Sequence, residues 1–191
     1  LAGGTLAAAV GAGIWIWRRD GALVPSALLK MILIASPLLI LVSAMHASQW
    51  DEFSGWLSVP RYLMDTDALP SRANPYINSA LPGYPFSWHY VTFLASLMAG
   101  YLLENAGALS NVLLLLMFGV MVSKLIARGA GNEASARAPG WSLLAIGALA
   151  TTLLNPTFAQ KIVLTTYADT SSAVAMGAAV VLAWFLIEEL A

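Results

Sequence analysis

The chain has 191 residues, of which 59% are hydrophobic and only 10% charged, and its mean hydropathy is +0.76. A soluble domain carries roughly 25% charged residues, so this composition excludes an ordinary water-soluble globule and points to a membrane protein. Nine Lys and Arg against ten Asp and Glu leave a formal net charge of -1, which offers no basic surface for nucleic acid, and the lack of Cys removes disulfides, thiolate catalysis and Cys-ligated metals.

Residues 1–17 are apolar as far as Trp15-Ile16-Trp17 and stop at Arg18-Arg19-Asp20, about one crossing at the ~17–25 residues a spanning helix needs. No basic region precedes this run, so it is not a signal peptide. Further apolar runs cover about 26–45, 86–103, 108–127, 141–160 and 172–187. Between the second and third lies a polar stretch, about 46–85, with Asp51, Glu52, Arg61, Asp65, Asp67 and Arg72. The pattern predicts an all-α fold in a single domain, a polytopic integral membrane helical bundle with one long loop. The opening on Leu1 and the apolar end at Ala191 read as an internal piece of a longer polytopic protein.

Lys and Arg collect in cytoplasmic loops. Arg18, Arg19 and Lys30 therefore put the first loop inside and the 46–85 stretch outside, while Lys124, Arg128 and Arg137 mark a second inner loop. Only an odd number of crossings connects residue 85 to residue 128, yet two apolar runs lie between them. The weaker, 86–103, begins at Trp88-His89-Tyr90 and ends at Glu104-Asn105, so it is expected to be re-entrant or interfacial. Runs four, five and six then pass inward, outward and inward. The alternative is a full hairpin with the basic cluster outside.

After the second run comes His46-Ala47-Ser48-Gln49-Trp50-Asp51-Glu52-Phe53, and Phe53, Trp56, Leu57, Val59, Leu63 and Met64 largely keep helical spacing with Arg61 and Asp65 opposite. That predicts an amphipathic juxtamembrane helix in the extracytoplasmic loop, with Trp50, Trp56 and Trp88 at headgroup depth. Pro70, Asn74-Pro75 and Leu81-Pro82-Gly83-Tyr84-Pro85 then stiffen the loop. Asp51 and Glu52 fit helix capping and catalysis equally well, whereas Asp169, in Asp169-Thr170-Ser171-Ser172, is more simply a cap for the sixth run. His46 and His89 could join Asp51 and Glu52 around a metal, but two polar interfacial histidines are the simpler reading. A carboxylate at a membrane boundary also suits chemistry on a substrate with a lipid tail: it could take the proton of an attacking hydroxyl while Arg61, Arg72 or Lys161 neutralises a leaving phosphate.

With Trp50, Asp51 and Glu52 after a membrane run, an amphipathic helix, and then Pro82, Gly83, Tyr84 and Pro85, the chain resembles the first extracytoplasmic loop of GT-C glycosyltransferases. These polytopic enzymes include protein O-mannosyltransferases and bacterial aminoarabinose transferases. Asn155-Pro156 closing run five and Tyr167-Ala168-Asp169-Thr170 opening run six are similar to the family's second outer loop. The resemblance covers about residues 28–187 and departs from the fuller pattern in its single Pro at Pro82. It implies inverting transfer of a sugar from a polyprenyl-phosphate donor to a glycan, lipid or protein acceptor on the outer face of a bacterial inner membrane. On that basis Asp51 is the general base, Glu52 orients it or contacts the acceptor, and Asp169 lines the same cavity. Arg61, Arg72, His89, Tyr84 and Lys161 would be the substrate-binding residues. Some members use a divalent metal, Mg or Mn, at such acids and others use none. The competing readings are a transporter or channel subunit with its acids on an ion path, and a non-catalytic membrane scaffold.

Overall fold

The computed structural model describes residues 23–69, 88–156, 158–159 and 164–190, with 10–11, 13–15, 18 and 21 before them. Tyr84, Arg72, Lys161, the Pro82–Pro85 segment and most of the first apolar run lie outside the described residues. Regular structure among the described residues is helical throughout: α1 Ser26–Ile34, α2 Ser36–Ser43, a π-turn Glu52–Trp56, α3 Ser58–Thr66, α4 His89–Ala99, α5 Ala106–Gly129, α6 Glu133–Arg137, α7 Trp141–Thr151 and α8 Asp169–Leu190. Two of these, α5 and α8, are long and apolar enough to cross a membrane.

The second apolar run is two helices rather than one, meeting at 65°. Pro37 has no N–H for the carbonyl of Leu33, four residues back, and its ring crowds that carbonyl. Ser36 Oγ donates to Leu33 O at 2.9 Å, beside a backbone N–H that the same carbonyl accepts at the helix cap. Lys30, expected with the first loop, lies within α1, its Nζ 5.8 Å from the centroid of the Trp141 ring.

The third run is helical over eleven residues, His89–Ala99, about 16 Å at 1.5 Å per residue and too short to span a ~30 Å hydrocarbon core. The fifth run is also shorter than expected, because α7 ends at Thr151 rather than continuing to 160. Thr152 there has φ -114 and ψ -100, outside the helical region, and the chain turns.

Helix α5 is the centre of the fold and touches α1, α2, α4, α6, α7 and α8. Its buried Val112 and Leu116 pack with Ala27 and Met31 of α1, Val42 of α2, and Leu144 and Ala148 of α7. Against α7 it presents small residues: Gly119, Ser123 and Ala127 are all buried and four apart. A Cβ on Gly147 of α7 would lie 2.6 Å from Gly119 O and also overlap Ser123 Oγ, so the two backbones touch directly. Such contacts supply the van der Waals packing that holds helices together where lipid removes the hydrophobic drive. Helices α5 and α8 run parallel. At one end Gly107 abuts Thr166, just before α8, and at the other Arg128 Nη2 pairs with Glu188 Oε2 at 3.2 Å. The Asp51–Asp169 region and the basic cluster are therefore at opposite ends of α5.

Candidate functional site

The polar end of α5 is built around the segment Thr165-Thr166-Tyr167, which residues from three separate elements hold. Asn111 of α5, 0% exposed, donates through Nδ2 to Thr165 O at 3.0 Å and Tyr167 O at 2.8 Å. Trp88, just before α4, donates Nε1–H to Thr166 O at 2.8 Å. Glu52 of the π-turn accepts Thr166 N–H at 2.9 Å. The absence of a side chain at Gly107 lets α5 approach, since a Cβ there would lie 2.9 Å from Thr166 Cα.

The π-turn follows from its sequence. Pro60 cannot donate to Trp56 O, so the α-helical ladder is interrupted ahead of it, and Leu57 N–H bonds instead to Glu52 O at 2.7 Å, five residues back. Ser58 Oγ caps the carbonyl of Gly55 at 2.8 Å. Helix α3 then resumes as the expected amphipathic element, with Val59 and Leu63 buried and Arg61 and Asp65 exposed.

Asp51 and Glu52 have divided their environments. Glu52 is 3% exposed. Its Oε2 accepts Ser48 N–H at 2.9 Å and Gln49 N–H at 3.0 Å, and its Oε1 accepts Thr166 N–H and, at 3.4 Å, Thr166 Oγ1. The bond to Gln49 is the return half of a capping box at the turn that begins at Trp50. Glu52 therefore acts on the site through the backbone: its oxygens tie the 48–52 turn to Thr166. The same bonds leave Glu52 no lone pair suited to a cation. The set His46, His89, Asp51 and Glu52 is not assembled, and among the described residues no three His, Asp or Glu side chains form a metal group. The donor set therefore does not fit a metal held through Glu52.

Asp51 is exposed and makes no side-chain capping bond, and Tyr167 Oη donates to its Oδ2 at 3.4 Å. Burial first, and then the charges of Asp51 and Glu52, the hydrogen bond to Asp51 and the charge of Asp169, push the Tyr167 phenol up to about 12. Tyr167 is therefore a fixed proton donor at neutral pH. Asp169, also exposed, stands at the first position of α8, where its charge favours the helix dipole. Below them Trp56 stacks on His89 with centroids 5.0 Å apart and planes at 18°, and Trp56 lies 6.1 Å from the Tyr167 ring. His89 is 3% exposed, so it supports Trp56 instead of meeting a substrate directly.

Sequence reasoning passed over Asn111, Thr166 and Tyr167 as working parts. An Asn within an apolar run was the available signal for the first, because a polar side chain at such a position needs partners inside the protein. No family model, characterised protein or solved structure matches this chain.

Proposed function

We propose that the chain acts as a polytopic membrane glycosyltransferase, moving a sugar from a polyprenyl-phosphate donor to an acceptor hydroxyl at the extracytoplasmic surface, with Asp51 as general base. The observation that carries this reading is the exposed Asp51 carboxylate, oriented by Tyr167 Oη beside Asp169 and over the Trp56–His89 stack, at the end of α5 away from Arg128. The likeness to GT-C loops and the positive-inside rule supply the reaction class and the side.

In this mechanism the acceptor hydroxyl approaches the Asp51 oxygen not engaged by Tyr167 and attacks the anomeric carbon opposite the phosphate. The new C–O bond forms as the bond to the phosphate oxygen breaks, the electron pair leaves with the phosphate, and the hydroxyl proton passes to Asp51. Tyr167 keeps its proton and fixes the carboxylate. Arg61, exposed on α3, is the described cation that could meet the phosphate. No acid lies within the central turns of α5 or α8, which suits surface chemistry better than an ion path.

The test is transfer of labelled sugar from a panel of polyprenyl-phosphate donors to membrane acceptors, comparing the protein with its Asp51→Asn variant at matched expression. Loss of roughly a hundredfold or more is expected for removal of a general base. Equal rates in the two proteins, or no transfer from any donor, would overturn the reading.

A further inference from the structure

A groove adjoins the polar end of α5, where Asn105 precedes the helix. The groove, of about 320 Å3, opens between the C-terminal ends of α2 and α4, lined by Ser43, Met45, His46, Tyr101, Glu104 and Asn105 among others. Its walls are fixed. Helix α4 ends in Gly100 at φ 77, a conformation that favours glycine. The following loop is then held by Leu103 N–H donating to the buried Ser96 Oγ at 2.9 Å. Asn105 Nδ2 donates to Ser43 O, and Ala47 N–H reaches Glu104 Oε2 at 3.4 Å, so both chain segments bordering the groove are tied to each other.

Negative charge in this groove has two sources. Two helix C-termini, those of α2 and α4, bring the negative ends of their dipoles to it. Glu104 adds a carboxylate that is 28% exposed, and the Tyr101 ring is exposed beside it. The basic group present, His46, has Nδ1 3.7 Å from Glu104 Oε2 and is itself largely exposed, so it can swing away. A carboxylate and an open aromatic face at two carbonyl-rich helix ends recognise a cation, and an aromatic wall with Met45 and Leu102 alongside favours an organic one. The place sharpens the choice: the groove is at the end of a helix long enough to cross a membrane, where lipid headgroups are concentrated.

We propose that the groove between the ends of α2 and α4 binds the ammonium group of an ethanolamine-type lipid headgroup through Glu104 and Tyr101. The lining of this groove does not include Asp51, and binding there does not require sugar transfer.

The test follows the imidazole NMR signals of the chain's two histidines, with His46 reporting on the groove and His89 on the intact fold. The protein is placed in nanodiscs of phosphatidylethanolamine with phosphatidylcholine, or of phosphatidylglycerol with phosphatidylcholine, and separately titrated in detergent with ethanolammonium chloride against sodium chloride. The proposal expects the His46 signal to shift with phosphatidylethanolamine and with ethanolammonium, but not with phosphatidylglycerol or sodium. Glu104→Gln should raise the half-saturating ethanolammonium concentration roughly tenfold or more, as expected for loss of one charge-assisted contact. Gln can still accept from Ala47, so the loop should persist, and Tyr101→Leu, expected to weaken binding less, provides a second variant. A response to ethanolammonium alone would retain the ammonium site and overturn its lipid source. No His46 response, or an equal response in Glu104→Gln with His89 unchanged, would overturn the site itself.

Discussion

Glu52→Ala is the most informative perturbation of the polar end, because one buried carboxylate serves three backbone N–H groups, those of Ser48 at 2.9 Å, Gln49 at 3.0 Å and Thr166 at 2.9 Å. Each donor left unsatisfied in a buried place costs about 1–3 kcal/mol. Ser48 is exposed and Gln49 half-buried, so water can replace part of their bonds, whereas Thr166 is 2% exposed and bears nearly the full penalty. The sum is about 3–5 kcal/mol. At the ~2–4 °C per kcal/mol typical of chains this size, the unfolding midpoint in a mild detergent should fall by roughly 6–20 °C. Glu52→Gln should fall between, since its amide oxygen can accept on one side while its NH2 faces donors on the other. Thermal unfolding followed by circular dichroism gives the midpoint, and hydrogen exchange at Thr166 locates the effect. A Glu52→Ala midpoint within about 2 °C of the parent, with Thr166 still protected, would refute the anchoring argument.

Tyr167 supplies a pH test. Its phenol is raised above 10, the ordinary value, to about 12 in the folded chain. Its stabilising contribution is therefore complete below pH 10 and lost as pH rises from 10 to about 12. In the difference spectrum against Tyr167→Phe, phenolate absorbance should show this late titration, and Asp51→Asn should move it downward without restoring the ordinary value, because burial is the larger cause. An unchanged midpoint in Asp51→Asn would dismiss the contact. At the other end, Gly147→Ala should destabilise by about 1–3 kcal/mol through overpacking against Gly119 and Ser123. Gly129→Ala, with nothing within 4 Å of its added Cβ, should be neutral or slightly stabilising in the same detergent melt.

Composition and apolar run length were enough to read an all-helical fold and the two long helices, because ~20 uncharged residues have few alternatives to a helix. Where each run would bend or stop was less legible. Pro37 marked the break in the second run, but the turn after Thr151 carries no Pro, Gly or charge until Pro156. The α5–α7 seam was visible in principle as Gly119, Ser123 and Ala127 at intervals of four, facing Gly147. Pairing that stripe with its partner depends on tertiary packing, which spacing does not encode.

The candidate site was legible in its exposed half only. Asp51 could be singled out as a carboxylate at a membrane boundary, but the partner that orients it, Tyr167, is 116 positions away and reaches it through a clamp of Asn111, Trp88 and Glu52. Adjacent helical residues point about 100° apart, and the Asp51-Glu52 doublet uses that divergence: one carboxylate remains open to solvent while the next is spent on Thr166. Exchanging the two residues would keep the charge and the composition. It would also put the shorter Asp at the buried position, where its carboxylate falls about one bond short of Thr166 N–H, and the clamp that sets Tyr167 against the exposed acid would loosen. The order of the two acids thus matters more than their number, and a function that needs a fixed carboxylate at this boundary needs Glu52 on the inside.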